Sequence, residues 1–278
     1  MVKKFSKYHG LGNSYIVIEP DNDFSVIQES EIIRICNPDY GIGSDGILFG
    51  PFREYNSISF KILNPDGSEA EKSGNGIRIF AKYLVDQGYI EGDVFQLFTK
   101  GGKVNIELVN PDATMIKVQM GKVSFKSKDI PVSGNEREVV NEVIDVNGTN
   151  YTITSLTIGN PHCVILVDKA TEELARKIGS FIENHPLFPN RVNLQLLEVI
   201  DKSNINIQIW ERGAGYTMAS GSSSCAAASA AYKLGLVNPG MNVHMPGGEI
   251  SINISENWEV EMTGPVEFIC NGNIDIHF

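Results

Sequence analysis

Two apolar runs, each opening straight from a polar turn that contains glycine, dominate the hydrophobic pattern of the chain. Ser73-Gly74-Asn75-Gly76 leads into Ile77-Arg78-Ile79-Phe80-Ala81-Lys82-Tyr83-Leu84, and Ser220-Gly221-Ser222-Ser223 leads into Ala226-Ala227-Ala228-Ser229-Ala230-Ala231-Tyr232. Both runs read as helices, the first ending near Gln87, with Ser73 and Ser220 placed as N-caps. Period-two alternation marks strands around them, through Ile58, Phe60 and Ile62 in the first half and Ile205, Ile207 and Ile209 in the second. Further strands are expected over residues 15–18, 47–49, 94–99, 103–108 and 115–120, then over 151–156, 163–167 and onward from Arg191-Val192-Asn193. Residues 28–36 and 172–182 are expected to be helical. Gly10-Leu11-Gly12-Asn13 and Asn64-Pro65-Asp66-Gly67-Ser68-Glu69 are turns.

The two halves repeat one another. Ser220 lies 147 positions after Ser73, and the same offset carries Gly74 to Gly221, Ala81 to Ala228, Gly88 to Gly235, Gly12-Asn13 to Gly159-Asn160 and Asp21 to Asp168. It also superposes the Ile58 and Ile205 strands; one residue of slippage then aligns Gly101-Gly102 with Gly247-Gly248 and the alternating positions that follow each. A period this long is not a solenoid repeat, so the pattern predicts two homologous domains. Residues 1–122 are expected to form the first and 123–278 the second, with the last strand free to pack on the first domain.

Composition narrows the class. A length of 278 residues suits two domains that each bury a core, and 42% hydrophobic with 21% charged residues describes a globular protein. A formal charge of −11 argues against nucleic acid or an anionic membrane as partner. No export signal and no spanning stretch are visible, and Cys36, Cys163, Cys225 and Cys270 are scattered without metal or disulfide spacing. A cytoplasmic protein with reduced thiols is expected. Neither a metal site nor a cofactor is predicted; Gly10-Leu11-Gly12 lacks the strand and helix that flank a dinucleotide loop. The partner expected is a small molecule. No residue fixes the oligomeric state, and a homodimer is carried as the expectation.

A helix N-terminus offers unpaired N–H groups and the positive end of the macrodipole, so each repeated turn is suited to a carboxylate or a developing negative charge. Two such turns acting from opposite sides of one carbon are what a two-base racemase or epimerase needs. Removing an amino-acid α-proton builds charge on the carboxylate, and the paired N-termini would stabilise it.

Five segments, in order along the chain, resemble diaminopimelate epimerases. They are Phe5-Ser6-Lys7-Tyr8-His9-Gly10-Leu11-Gly12-Asn13, the Asn64 to Glu69 turn, Ser73-Gly74-Asn75-Gly76, Gly159-Asn160-Pro161-His162 and Glu211-Arg212-Gly213-Ala214-Gly215. The resemblance implies an α/β (α+β) fold of two pseudo-symmetric domains, each a mixed sheet rolled around a central helix. It also implies a pyridoxal-independent epimerase that interconverts LL- and meso-diaminopimelate in lysine and cell-wall biosynthesis, in a cleft between the domains. Carried over by position, it makes Asn13, Asn64, Asn160 and Asn193 substrate-binding residues. Glu211 and Arg212 would hold the amino and carboxylate groups, and the backbone N–H groups of Gly74-Asn75 and Gly221-Ser222 the reacting carboxylate. His162 and Glu211 would also tune the two catalytic groups.

Those two groups depart from the family. Ser73 and Ser220 stand where the family has its catalytic cysteines. A thiol titrates at about 8.5 and lower at a helix N-terminus, whereas a hydroxyl needs a neighbouring base to become an anion. Gly46 and Tyr216 also replace a Gln and a Glu common in the family, which implies a different distal end to the substrate. Three readings stay open: an epimerase impaired by serine introduced for cysteine, a natural relative that racemises another amino acid with serine, and an amino-acid-binding protein without catalysis.

Overall fold

The computed structural model describes residues 2–21, 26–54 and 57–276. It divides into two compact units, residues 2–119 with 263–276, and residues 120–262. In chain order the first part contains β1 (Val2–Gly10), β2 (Asn13–Ile18), α1 (Glu29–Cys36), β3 (Ile47–Glu54), β4 (Ser57–Leu63) and β5 (Glu69–Ala70). There follow α2 (Gly74–Asp86), β6 (Val94–Thr99), β7 (Gly102–Leu108) and β8 (Met115–Lys122). The next part begins with β9 (Glu142–Val146), β10 (Thr149–Thr157), β11 (Pro161–Leu166), α3 (Glu172–Glu183), β12 (Asn193–Asp201), β13 (Asn204–Glu211) and β14 (Gly215–Thr217). It continues through α4 (Gly221–Lys233), β15 (Gly240–Met245), β16 (Gly248–Ile254) and β17 (Glu259–Pro265) to β18 (Glu267–Asp275).

Each unit is a mixed sheet built to the same plan. In the first, β1–β2 is antiparallel, β2–β3 parallel, β3–β4 and β4–β5 antiparallel, β4–β6 parallel and β6–β7 antiparallel. In the second, β10–β11, β11–β12, β12–β13, β13–β14, β13–β15 and β15–β16 repeat that order of senses. The register repeats too. Ile16 faces Ile47 and Cys163 faces Leu194; Leu48 faces Ile62 and Gln195 faces Ile209. The one-residue slip also appears in three dimensions, because Ile58 faces Leu97 whereas Ile205 faces Val243.

The two turn-initiated helices are the centres of their units. From Gly74 to Leu84 every residue of α2 is buried, and so are Gly221 and all of Ser223–Ala231 on α4. A helix covered on every side is apolar or small nearly all round, as α4 is, whereas α2 also buries Arg78 and Lys82, which lie on one line with Asn75 and Asp86 and bond to them. On α4 the alanines 226–228, 230 and 231 let the surrounding strands β10 to β13 and β16 approach closely. The outer helices are amphipathic. α1 sets Ile32 and Ile35 on Ile16, Ile47 and Phe49 of the parallel pair β2–β3, and α3 sets Ala175, Ile178 and Ile182 on the strands of its own unit. Among the described residues no helix is long and apolar enough to cross a membrane.

Phe5 to Gly10, for which no element is expected from the pattern, belong to β1, which pairs with β2 on one edge and β18 on the other. The alternation there is weak because few of its side chains are fully buried. Residues 121–149, which follow β8, contain β9 and contribute Ile130, Val132 and Val139 to the core of the second unit.

Gly179 shows how tightly α3 seats. A Cβ there would stand 2.3 Å from the Trp210 indole of β13. Gly179→Ala is expected to destabilise the protein by about 1–3 kcal/mol, read as a lower urea midpoint.

Candidate active site

Ser73 has an extended backbone (φ −137°, ψ 118°), and its Oγ accepts the Gly76 N–H at 3.1 Å. Ser220 repeats this with φ −150° and ψ 124°, its Oγ accepting the Ser223 N–H at 3.5 Å. Each cap hydroxyl therefore occupies the third N–H of its helix. The first two, of Gly74 and Asn75 in one unit and Gly221 and Ser222 in the other, have no intrahelical acceptor by the geometry of a helix start. Each turn thus combines a hydroxyl, two aligned N–H donors and the positive end of a helix dipole.

The side chains that meet these turns also repeat. In the first unit Asn75 Nδ2 donates to Asn13 Oδ1 at 3.0 Å; in the second Asn160 Nδ2 donates to Ser222 Oγ at 3.5 Å. Positions 13 and 75 map onto 160 and 222, so one pairing has been kept with different residues. The structure therefore brings Asn13, Ser73, Gly74 and Asn75 together in one unit, and Asn160, His162, Ser220, Gly221 and Ser222 in the other. Asn64 Nδ2 donates to Ser68 Oγ at 3.0 Å, and its backbone closes the 64–68 turn.

The remaining predicted residues of the second unit form an adjoining group. His162 of β11 faces Asn193 of β12 across the parallel pair. Asn193 braces the loop after β13, donating to Pro161 O at 2.8 Å and accepting the Arg212 N–H at 2.9 Å. Its amide is therefore engaged at both ends by protein. Arg212 is exposed, and its Nη1 donates to Asn190 O at 3.1 Å. Glu211 closes β13 opposite Gly215 and is half-buried. The loop is held from behind by buried Glu183, which accepts the Gly213 N–H at 2.9 Å, the Trp210 indole N–H at 2.8 Å and Arg191 Nη1 at 3.1 Å.

His162 is 0% exposed, and its Nε2 lies 2.9 Å from Asn160 Oδ1, an acceptor, which places the ring proton on Nε2. Burial is the main cause that pushes its pKa down to about 3; the Arg212 cation adds to this and the Gln195 side chain opposes it. So low a pKa makes the ring a weak base, which suits it to orienting Asn160 rather than to ionising a serine. Because the folded value lies below the unfolded one, His162 contributes stability that is complete above pH of about 6.5 and is lost progressively as pH falls toward 3. His162→Gln is expected to flatten the fall of unfolding free energy between pH 6 and 4 by up to about 1.4 kcal/mol per unit, measured by urea titration at each pH.

Three further residues meet these turns and carry no motif in the sequence. Tyr15 OH lies 3.2 Å from Ser73 Oγ, and Tyr15 is the repeat match of His162. The offset that links the serines would have found it. Gly46 makes room for that ring: a Cβ on Gly46 would stand 2.7 Å from Tyr15 Cε1 and 2.6 Å from Leu63 O. Glycine there is a packing requirement of Tyr15. Buried Gln195 donates to Ser223 Oγ at 3.0 Å beneath the second turn, and buried Arg78 holds Asn75 beneath the first. Gln195 interrupts an apolar strand, and Arg78, like Lys82, a mostly apolar helix, which is the signal each carried. Tyr216 points elsewhere, its hydroxyl donating to Gln208 Oε1 at 2.6 Å and its ring lying 4.5 Å under the Arg176 guanidinium.

Two copies of one mixed-sheet unit around a capped, buried helix make up a fold found in other solved structures. A solved structure described as a probable proline racemase from Agrobacterium radiobacter shares the fold, with a TM-score of 0.72 and 13% identity over 99% of this chain and 93% of the other. The sequence model of the family described as Diaminopimelate epimerase matches residues 5–126 and 154–269. A protein named Diaminopimelate epimerase 2 from Nostoc sp. is 50% identical over 98% of this chain and 95% of its own length. One named Diaminopimelate epimerase from Clostridium perfringens is 41% identical over 97% and 98%. The chain belongs to the diaminopimelate epimerase family, and its class of enzyme is isomerase.

Proposed function

We propose that the protein acts on the α-carbon of an amino acid, with LL- and meso-diaminopimelate as the substrate pair, by a two-base reaction that uses no pyridoxal. The observation that carries this reading is the duplicated turn, with a side chain at position 73 and another at 220 capping two buried helices in the same geometry. The α-C–H bond breaks with its electron pair delocalised into the substrate carboxylate. The proton goes to the group at one turn, and the group at the other turn supplies a proton to the opposite face. The N–H groups of Gly74 and Asn75 and of Gly221 and Ser222 hold the charge that grows on the carboxylate. Asn13, Asn64 and Asn160 contact the substrate, Asn193 serves the substrate site by holding the Arg212 backbone in place, Glu211 takes an ammonium and Arg212 a carboxylate.

In the chain as written both acid–base positions carry hydroxyls, so binding is retained and proton transfer is slow. His162, with its low pKa, does not supply the missing basicity. Calorimetry with the unaltered chain tests the binding half of this account: diaminopimelate binds, and lysine and proline bind more weakly. Equal or absent binding of all three would overturn it.

A further inference from the structure

Arg78 is one of two cations, with Lys82, inside an otherwise apolar helical run, and the fold buries it completely, at 0% exposure. A guanidinium removed from water is costly unless fixed acceptors replace its hydration. Two of its hydrogen bonds reach back to the mouth of α2. Nη1 donates to Gly74 O at 3.3 Å and Nη2 to Asn75 Oδ1 at 2.8 Å. Asn75 passes the constraint on, because its Nδ2 donates to Asn13 Oδ1. Gly10 of β1 leaves space for the guanidinium, since a Cβ there would stand 3.1 Å from Nη2.

The repeat supplies an internal comparison. The match of Arg78 is Cys225, which is equally buried at 0% exposure. Asn75 is matched by Ser222, whose Oγ accepts from Asn160. The turns share their caps and their pair of contacting positions, yet one has a permanent cation a turn behind it and the other a thiol.

We infer that Arg78 is the positioning residue of the first turn: it locks Asn75 onto Asn13 and makes the turn at Ser73 the electropositive member of the repeated pair, the side on which an anionic acid–base group is favoured. This rests on reading the Ser73 turn as part of the catalytic site. A full charge within one helical turn adds to the dipole, and in a buried setting it is little screened by solvent. The titratable group in hydrogen-bond contact with Ser73 Oγ is Tyr15 of β2, and Lys72 is its neighbour in the chain; both stay constant across the variants below.

A cysteine introduced as Ser73→Cys reports this field without any substrate. The readout is the pH dependence of its alkylation by iodoacetamide, followed by mass spectrometry on the peptide that carries position 73. The midpoint is expected below the ordinary thiol value of about 8.5. Adding Arg78→Met or Arg78→Gln is expected to slow alkylation at pH 7 by about tenfold, the effect of a one-unit shift, while Arg78→Lys stays within about threefold. A neutral variant that keeps its far-UV circular dichroism and alkylates within about twofold of its parent would overturn the inference. If neither neutral variant folds, Ser73→Cys alone decides, and a midpoint at or above about 8.5 overturns it. A failed epimerase reading appears instead as missing binding or exchange, so the two failures are distinguishable.

Discussion

Ser73→Cys combined with Ser220→Cys is expected to raise the rate of LL- to meso-diaminopimelate conversion by about 10²–10⁴-fold over the chain as written, the range that positioned acid–base groups contribute. The physical reason is acidity. A thiol at a helix N-terminus becomes a thiolate near neutral pH, whereas the Ser73 hydroxyl meets the Tyr15 hydroxyl, and His162, the histidine of the other turn, is weakly basic and bonded to Asn160. The two changes are expected to be strongly non-additive. Each single cysteine leaves either the base or the acid missing, so each single variant stays close to the unaltered chain and the gain appears only in the pair. Chiral chromatography of the reaction mixture reads this. A double variant no faster than the parent would mean that the turns at 73 and 220 are not the acid–base groups.

Arg212→Ala is expected to weaken diaminopimelate binding by about 2–5 kcal/mol, roughly 30-fold to several thousand-fold, the range for removing one partner of a close charge pair. Arg212 is exposed, and the hydrogen bonds that place it come from its backbone N–H and a single Nη1 contact with Asn190 O, which leaves most of its donors for a ligand. Because the side chain supports no core, the melting temperature is expected to be nearly unchanged. Arg212→Lys keeps the charge without the planar fork and should fall between. Calorimetry that shows undiminished affinity for Arg212→Ala would remove Arg212 from the site.

The fold was legible where both copies of the repeat could be read against each other. The serine caps, the central helices and the strands through Ile58 and Ile205 each appear twice, so a pattern too weak to trust once is fixed by its partner. Less was legible where the copies diverge. β1 carries Ser6 and Lys7 between its apolar positions because it lies between β2 and β18 with only part of one face buried, so its alternation is blurred. Of the site, Asn13, Ser73, Asn75, Asn160, Ser220 and Ser222 were found by motif and prove to be linked in space within their units. Tyr15, Gln195 and Arg78 were missed because each acts through a neighbour. What places them is a strand register or a helical turn, and neither is visible as a motif.

The most direct test of the two-base account is incorporation of deuterium at the α-carbon in deuterated water, followed by NMR, for the unaltered chain and for the double cysteine variant with LL-diaminopimelate. The account predicts exchange that is rapid with both cysteines and slow with both serines. Equally rapid exchange in the serine chain, or none in the cysteine chain, would contradict it.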